Sequence, residues 1–361
     1  MPLFDLSPKD SPRALYGRSV ELDQLVRLTA AGRWTIIQGP RMVGKTSLAK
    51  AALNRLHRPA VYVNLWGAKG TLGLLNAFVD GVNANRSVLS RMRAGLRRIE
   101  GLSIGPAGIA LTPRSRPLRT VWDLIGLMGE EAGKGVIVLD EIQELAPISG
   151  VLLKVLGNLF NTRPGLVFVF TGSYFGLTRT LLDPETESPL FGRPPVSIRL
   201  DPFDRAKALQ FLERGLAEYH LKHDLAELGN IVDRSLDGVP GWLTLFGNNL
   251  AVQGLSPTGA ENAAVREGLK VVRSELAHFF EGRPANSYWQ ALRILTAPST
   301  WSELRQGLTS RRGSAVNDHS VGNILRSLRS ANLVVEQDHQ YVIPDPMVRK
   351  FVREARNPPS A

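Results

Sequence analysis

Eight consecutive residues, Gly39-Pro40-Arg41-Met42-Val43-Gly44-Lys45-Thr46, fit the pattern G-x-x-x-x-G-K-[ST] at every fixed position. Such a run holds phosphate. Its glycines let the backbone curl so that successive N–H groups and the start of a following helix face an anion. Lys45 then reaches the β- and γ-phosphates, the Thr46 hydroxyl ligates Mg²⁺, and Ser47 stands next in the same first turn. A second cluster is Val136-Ile137-Val138-Leu139 followed by Asp140-Glu141, an apolar run that ends in two adjacent carboxylates. Asp140 is suited to hold Mg²⁺, directly or through water, and Glu141 to polarise an attacking water. A glycine-rich turn or a strand with an acidic end is unremarkable alone; the two together point to ATP with Mg²⁺, and to hydrolysis rather than passive binding. Thr171-Gly172-Ser173 follows another apolar run. Two readings stand for it: hydroxyls such as that of Ser173 that sense the γ-phosphate or position water, or a Ser/Gly turn.

These residues need particular elements behind them. Trp34 to Gln38 reads as a strand leading into the phosphate-binding loop, and Lys45 to His57 as the helix that follows it. Val61 to Asn64, Val136 to Leu139, Leu166 to Phe170 and Val196 to Leu200 are further short apolar runs, with helical patterns between them. Strands apolar on both faces and alternating with helices predict an α/β fold, a parallel sheet covered by helices on both sides. Beyond Leu200 the strand signal stops, and Asp204 to Tyr219, Leu225 to Leu236, Pro240 to Val252 and Glu261 to Phe280 read as helices. After Gly282-Arg283-Pro284 come three helices, the second capped by Thr300 with Glu303 three residues on, and then two β-prone segments around Gln337-Asp338-His339. That order is the order of a winged helix-turn-helix. The expected division is an N-terminal arm (1–14, rich in proline), a phosphate-binding core (15–200), a helical lid (201–282) and a winged-helix domain with tail (283–361).

The chain resembles the archaeal ATPases of the AAA+/STAND group of P-loop NTPases. The likeness is carried by Leu15-Tyr16-Gly17-Arg18 with Glu21-Leu22, by GPRMVGKTSL, by Asp140-Glu141-Ile142-Gln143 and by Thr171-Gly172-Ser173. It continues in Ser188-Pro189-Leu190-Phe191-Gly192-Arg193, in Gly238-Val239-Pro240, and in the closing Tyr341 to Met347. The resemblance implies that Tyr16 and Arg18 contact the base side of the nucleotide and that Pro240 caps the adenine from the lid. It also implies that Arg193 is an arginine finger or a phosphate sensor, acting in its own or in a neighbouring subunit. Related chains include replication-origin initiators. One position departs from the pattern: no arginine stands beside Gly238-Val239-Pro240, where other AAA+ proteins carry one.

Composition narrows the chemistry. The 361 residues contain no cysteine, which removes thiol catalysis, Cys-ligated zinc and disulfides, and six scattered histidines give no metal-binding pair. The N-terminus has no secretory pattern and no apolar run approaches a membrane span, so a cytoplasmic protein that does not engage a membrane is expected. Lys and Arg exceed Asp and Glu by eleven. Residues 83–119 hold eight arginines and one glutamate, so seven of those eleven excess charges fall in one insert of the core. There Val88, Met92, Leu96 and Ile99 recur at helical spacing, which throws Arg91, Arg93, Arg97 and Arg98 outward, and a small hairpin turns at Gly105-Pro106. Such a surface suits a phosphate backbone, or a solvated or subunit-facing role. In the winged helix, Asn323 and Arg326 lie on the outer side of the third helix, where side chains read a major groove. Glu336 and Asp338 place acid on the wing. Two functions follow: an ATPase coupling nucleotide state to double-stranded DNA, or an ATP-driven signalling switch that binds protein partners or itself.

Overall fold

Strands that are apolar on both faces are stable only between two layers of helices, and this requirement shapes the N-terminal half of the chain. In the computed structural model, which describes all residues except 57, 133–134, 173–180, 182–183, 185, 313–314, 332 and 361, the chain divides into two compact units. One comprises Pro8–Gly39 and Gly44–Leu200; the other comprises Met1–Ser7, Pro40–Val43 and Asp201–Ala361.

The first unit is built on α1 (Ser19–Ala30), β1 (Thr35–Gln38), α2 (Lys45–Leu56), β2 (Ala60–Asn64), α3 (Gly70–Ala84) and α4 (Arg86–Leu96). It continues through the hairpin β3 (Leu102–Gly105) and β4 (Gly108–Leu111), then α5 (Pro117–Ala132), β5 (Val136–Asp140), a 3-10 turn (Ile142–Ile148), α6 (Ser149–Thr162), β6 (Val167–Gly172) and β7 (Val196–Arg199). Five strands form one sheet in the order β2-β5-β6-β1-β7, and every pairing in it is parallel. The three central strands are buried along their whole length, whereas β7 at the edge alternates between buried and exposed positions. Trp34 anchors the start of β1: its indole N–H donates to the Leu166 carbonyl at 3.1 Å, and its ring lies against Phe160 and Phe168. Ile142–Thr162 has the length and apolarity to cross a membrane, but its Leu152, Leu156 and Leu159 are buried in the core of this unit.

The second unit contains α7 (Arg205–Ala217), α8 (Leu225–Ile231) continued by a π-turn (Val232–Leu236), α9 (Pro240–Ala251) and α10 (Pro257–Phe280). Then come α11 (Ala285–Ile294), α12 (Trp301–Arg312), α13 (Asp318–Ser330), the hairpin β8 (Val335–Gln337) and β9 (Gln340–Val342), and α14 (Pro346–Glu354). The helical segment and the winged helix thus pack as one unit. Thr300 and Glu303 form the reciprocal cap expected from their spacing: the Glu303 carboxylate accepts from the Thr300 N–H at 2.7 Å, and the Thr300 hydroxyl from the Glu303 N–H at 3.3 Å. Asp338 and His339 both take positive φ, the backbone of a tight two-residue hairpin turn. Gly238 is required where it stands. Its φ is +70°, and a Cβ would lie 2.0 Å from the Phe203 carbonyl oxygen.

Two features differ from the sequence reading. Residues 1–7 are no free arm. Leu3 and Phe4 are buried, and the Phe4 ring stacks on Tyr219 and meets Phe211 edge-on. The chain also ends in an additional helix, α14, whose N-terminus is capped by Asp345 through the Met347 N–H at 2.8 Å and the Val348 N–H at 3.4 Å.

Burial raises the Asp345 carboxyl to about 6, against the pull of those two N–H groups and of Arg349. Between the ordinary carboxylate range and 6 the native state therefore holds a proton that the unfolded chain has lost. This contribution is complete below pH 4, disappears as pH rises through 6, and amounts to about 3 kcal/mol. Asp345→Asn keeps a capping oxygen and removes the titration. Urea unfolding followed by tryptophan fluorescence is expected to show wild-type stability gaining on the variant as pH falls from 7 to 5; a constant difference would refute the assignment.

Candidate active site

Sheet order explains where the chemistry lies. In space β6 lies between β1 and β5, and β2 lies on the other side of β5. The carboxyl ends of these strands therefore bring together four segments that are far apart in sequence: the phosphate-binding loop, Asp140-Glu141, Thr171 and the end of β2.

The loop itself curls through non-helical backbone. Met42 takes φ 61° although it carries a side chain, and Gly44 takes φ 100°, which only glycine adopts without strain. Val43 is buried. Lys45 is buried too, and its ammonium donates to the Gly39 carbonyl at 3.1 Å, folded back on the loop it would leave to meet phosphate. Ser47 accepts from the Lys9 N–H at 3.1 Å, so residues just after the first seven run alongside α2. Pro40–Val43 belongs by its packing to the helical unit: the Met42 carbonyl accepts from the Gly241 N–H at 2.8 Å, and Arg41 pairs with Glu275 at 2.6 Å. Pro240, expected against adenine, is the first residue of α9, immediately before Gly241.

The carboxylate expected to hold Mg²⁺ is tightly surrounded. Asp140 is buried, and three hydroxyls converge on it. Thr46 donates to its two oxygens at 2.9 and 3.2 Å, Thr171 donates to Oδ1 and Tyr62 donates to Oδ2. Burial and the adjacent Asp140 charge push the Tyr62 phenol far above its ordinary range, so it keeps its proton and donates it to Asp140. Thr171 also accepts the Glu141 N–H at 3.1 Å, tying the two carboxylate residues to β6. Glu141 itself has φ 60° and ψ 50°, left-handed backbone that turns its side chain away from the strand direction, and its carboxylate accepts from the Gln143 amide. No cluster of three or more His, Asp or Glu side chains able to cage a metal occurs among the described residues. One hydroxyl, one carboxylate and nearby phosphate positions instead suit Mg²⁺, which keeps several waters and binds few protein groups.

A family profile described as an ATPase domain predominantly from Archaea matches residues 15–246. This chain belongs to that archaeal ATPase family. It is a P-loop ATPase, and ATP is its nucleotide. It is similar to a Walker-type ATPase of Pyrococcus abyssi, at 28% identity and TM-score 0.79, covering 97% of this chain and 99% of that one. The ORC2 protein of Aeropyrum pernix, solved with ADPNP and ADP, shares the fold at 16% identity and TM-score 0.62, over 97% and 96% of the two chains. The Cdc6p protein of Pyrobaculum aerophilum shares it at 16% identity and TM-score 0.50, over 97% of each chain. No curated protein matches the chain.

Within this ATPase, Lys45, Thr46, Asp140 and Glu141 stand together at the carboxyl end of the sheet. Arg193, expected as a finger or a sensor in its own or a neighbouring subunit, stands at the other end of the sheet. It precedes β7, whose Val196 pairs with Thr35 at the start of β1, while the phosphate loop follows the end of β1. A strand's length, about 13 Å, therefore separates the two ends of the sheet. Arg193 is exposed, over the Phe160 ring and donating to Asn161. Arg18 is buried and paired with Glu21 at 3.1 Å just before α1, with Tyr16 half-buried nearby in sequence. Ser173 lies outside the described residues. Tyr62 and the second role of Thr171 escaped the sequence reading; their signal there is only a polar tip in an otherwise apolar strand.

Thr171→Val removes one donor to Asp140 and the acceptor for the Glu141 N–H while keeping the shape of the side chain. The ATPase rate is expected to fall ten- to a hundredfold, about the effect of losing a group that orients a metal ligand, with ATP affinity within about threefold. A rate close to wild type in steady-state phosphate release would contradict this.

Proposed function

We propose that this ATPase binds Mg·ATP and couples its hydrolysis to the holding of double-stranded DNA. When bound, Mg²⁺ supplies positive charge that draws electrons from the phosphates. Thr46 and Asp140 hold the ion, Lys45 neutralises the phosphate oxygens, and Glu141 accepts the proton of the attacking water. The Arg193 guanidinium, presented at the far end of the sheet, serves a neighbouring subunit's nucleotide rather than its own. Tyr16, Arg18 and Pro240 contact the adenine side of the nucleotide, as the family resemblance implies.

The observation that carries the DNA reading is the state of the arginines. Arg86, Arg91 and Arg93 of α4, with Arg97 and Arg98 just past its end, are exposed, and among the described residues none of the five forms an ion pair. Other arginines of the chain are held by acids, as Arg41 is by Glu275 and Arg234 by Glu261. Between α4 and the β3–β4 turn lies a groove of about 300 Å³, lined by Arg86, Arg93 and Gly105–Ala107. Unpaired guanidinium groups beside a groove suit the phosphate backbone of a duplex. On α13, Arg326 donates to Asn323 at 3.0 Å and Asn323 meets His319 at 3.2 Å, forming a polar row on the outer side of the helix. A protein partner is the second reading, favoured by the wing: Glu336 there already neutralises Arg329 at 3.0 Å. In that reading the ATPase is a STAND-like switch. Either reading places the protein in the cytoplasm.

Lys45→Ala is expected to abolish ATP binding, and Glu141→Gln to retain binding while losing at least about a hundredfold in phosphate release. Equal rates in all three proteins would overturn the roles assigned to these side chains. For the partner, duplex DNA is titrated at several salt concentrations. Affinity should fall steeply with salt, and the slope should flatten when Arg91, Arg93, Arg97 and Arg98 are replaced by alanine. Absence of binding at low salt favours the protein-partner reading.

A further inference from the structure

The interior of the sheet contains a hydroxyl that ATP hydrolysis does not itself require. Tyr62 pairs in register with Val138 of β5, and Asn64 with Asp140. Residues two apart on a strand share a face, so Tyr62 is the diagonal neighbour of Asp140, within reach of a long aromatic side chain. Its hydroxyl ends on Asp140 Oδ2, the oxygen that Thr46 approaches at 2.9 Å. A second contact pins the ring: the ammonium of Lys50, one turn after Thr46 on α2, lies 4.7 Å from its centroid. A phenylalanine would fill the same space; only a tyrosine supplies the donor.

We infer that Tyr62 is a positioning residue that sets the affinity of the nucleotide site for Mg²⁺ by fixing the Asp140 carboxylate. The inference rests on the Mg·ATP reading of the site. Thr46 must serve the metal with its oxygen and Asp140 with its proton, and it can do both only if the carboxylate stays in place. Tyr62 and Thr171 hold the two oxygens from the sheet, on strands that do not depend on the loop. With both oxygens already accepting hydrogen bonds, Asp140 is best fitted to hold the ion through a bound water. Removing one donor frees the carboxylate to rotate, and metal affinity falls while the phosphate contacts of the loop persist.

The test uses the full chain and a fluorescent ADP analogue titrated in EDTA and over a series of Mg²⁺ concentrations. Tyr62→Phe is expected to raise the Mg²⁺ concentration for half-maximal tightening about tenfold, with affinity in EDTA unchanged. Lys50→Leu, which loosens the ring but keeps the hydroxyl, is expected to raise it about threefold. An unchanged Mg²⁺ midpoint in Tyr62→Phe overturns the inference. An equal loss of affinity in EDTA also overturns it, because it would show a general packing role. Nucleotide binding by the wild type that ignores Mg²⁺ would instead overturn the reading of the site itself.

Discussion

A buried carboxylate must be satisfied by donors or it loses its charge, and the sheet of this ATPase is arranged around one. Asp140 ends β5, with β6 on one side and β2 on the other. Each neighbour delivers one hydroxyl to it, Thr171 from β6 and Tyr62 from β2, and the loop after β1 delivers Thr46. The parallel register places all three at the same end of the sheet. Had any strand run antiparallel, its hydroxyl would stand at the far end and the anion would be one donor short. Fold and site are therefore one constraint here, expressed through strand order.

What the sequence displays and what it conceals divide along this line. The phosphate-binding loop and Asp140-Glu141 are legible because each is a contiguous string whose local chemistry is complete. The β3–β4 and β8–β9 hairpins are legible for the same reason, since turn residues and flanking alternation lie side by side. Tyr62 is not legible, because its meaning depends on β2 lying beside β5, a fact about space. Arg193 shows the converse: its motif is contiguous, but only strand direction reveals which end of the sheet it occupies. The first residues mislead through composition. Prolines suggest a free segment, yet Phe4 inserts where Gly215 and Gly247 leave room, each so close to the ring that a Cβ would clash. Sequence distance between residue 4 and residue 247 hides that fit.

The excess positive charge is equally a matter of placement. A net charge says little about fold, and several arginines here are structural, held by Glu261, Glu275 or Asp237. What sets α4 apart is the separation of its two faces. Val88, Met92 and Leu96 are buried in the core, so the helix is fixed whatever its outer face carries. That outer face is free to hold charge without a stabilising task, and arginines with no structural partner keep their full electrostatic reach toward a polyanion.

The same separation of tasks distinguishes the two acidic residues at the end of β5. Asp140 and Glu141 are adjacent in sequence but differ in environment. Asp140 is buried under three hydroxyls, fixed in orientation and unable to move toward a substrate. Glu141 is half-buried, and its side chain is held by the Gln143 amide. Its left-handed backbone costs on the order of 1–2 kcal/mol for a residue with a side chain. A regular strand would already put the two side chains on opposite faces; the left-handed residue instead ends the strand and starts the turn that brings the Gln143 amide to the Glu141 carboxylate. The two neighbours therefore stand in separate surroundings, Asp140 fixed by hydroxyls from two strands and the loop, Glu141 by an amide of the turn that follows.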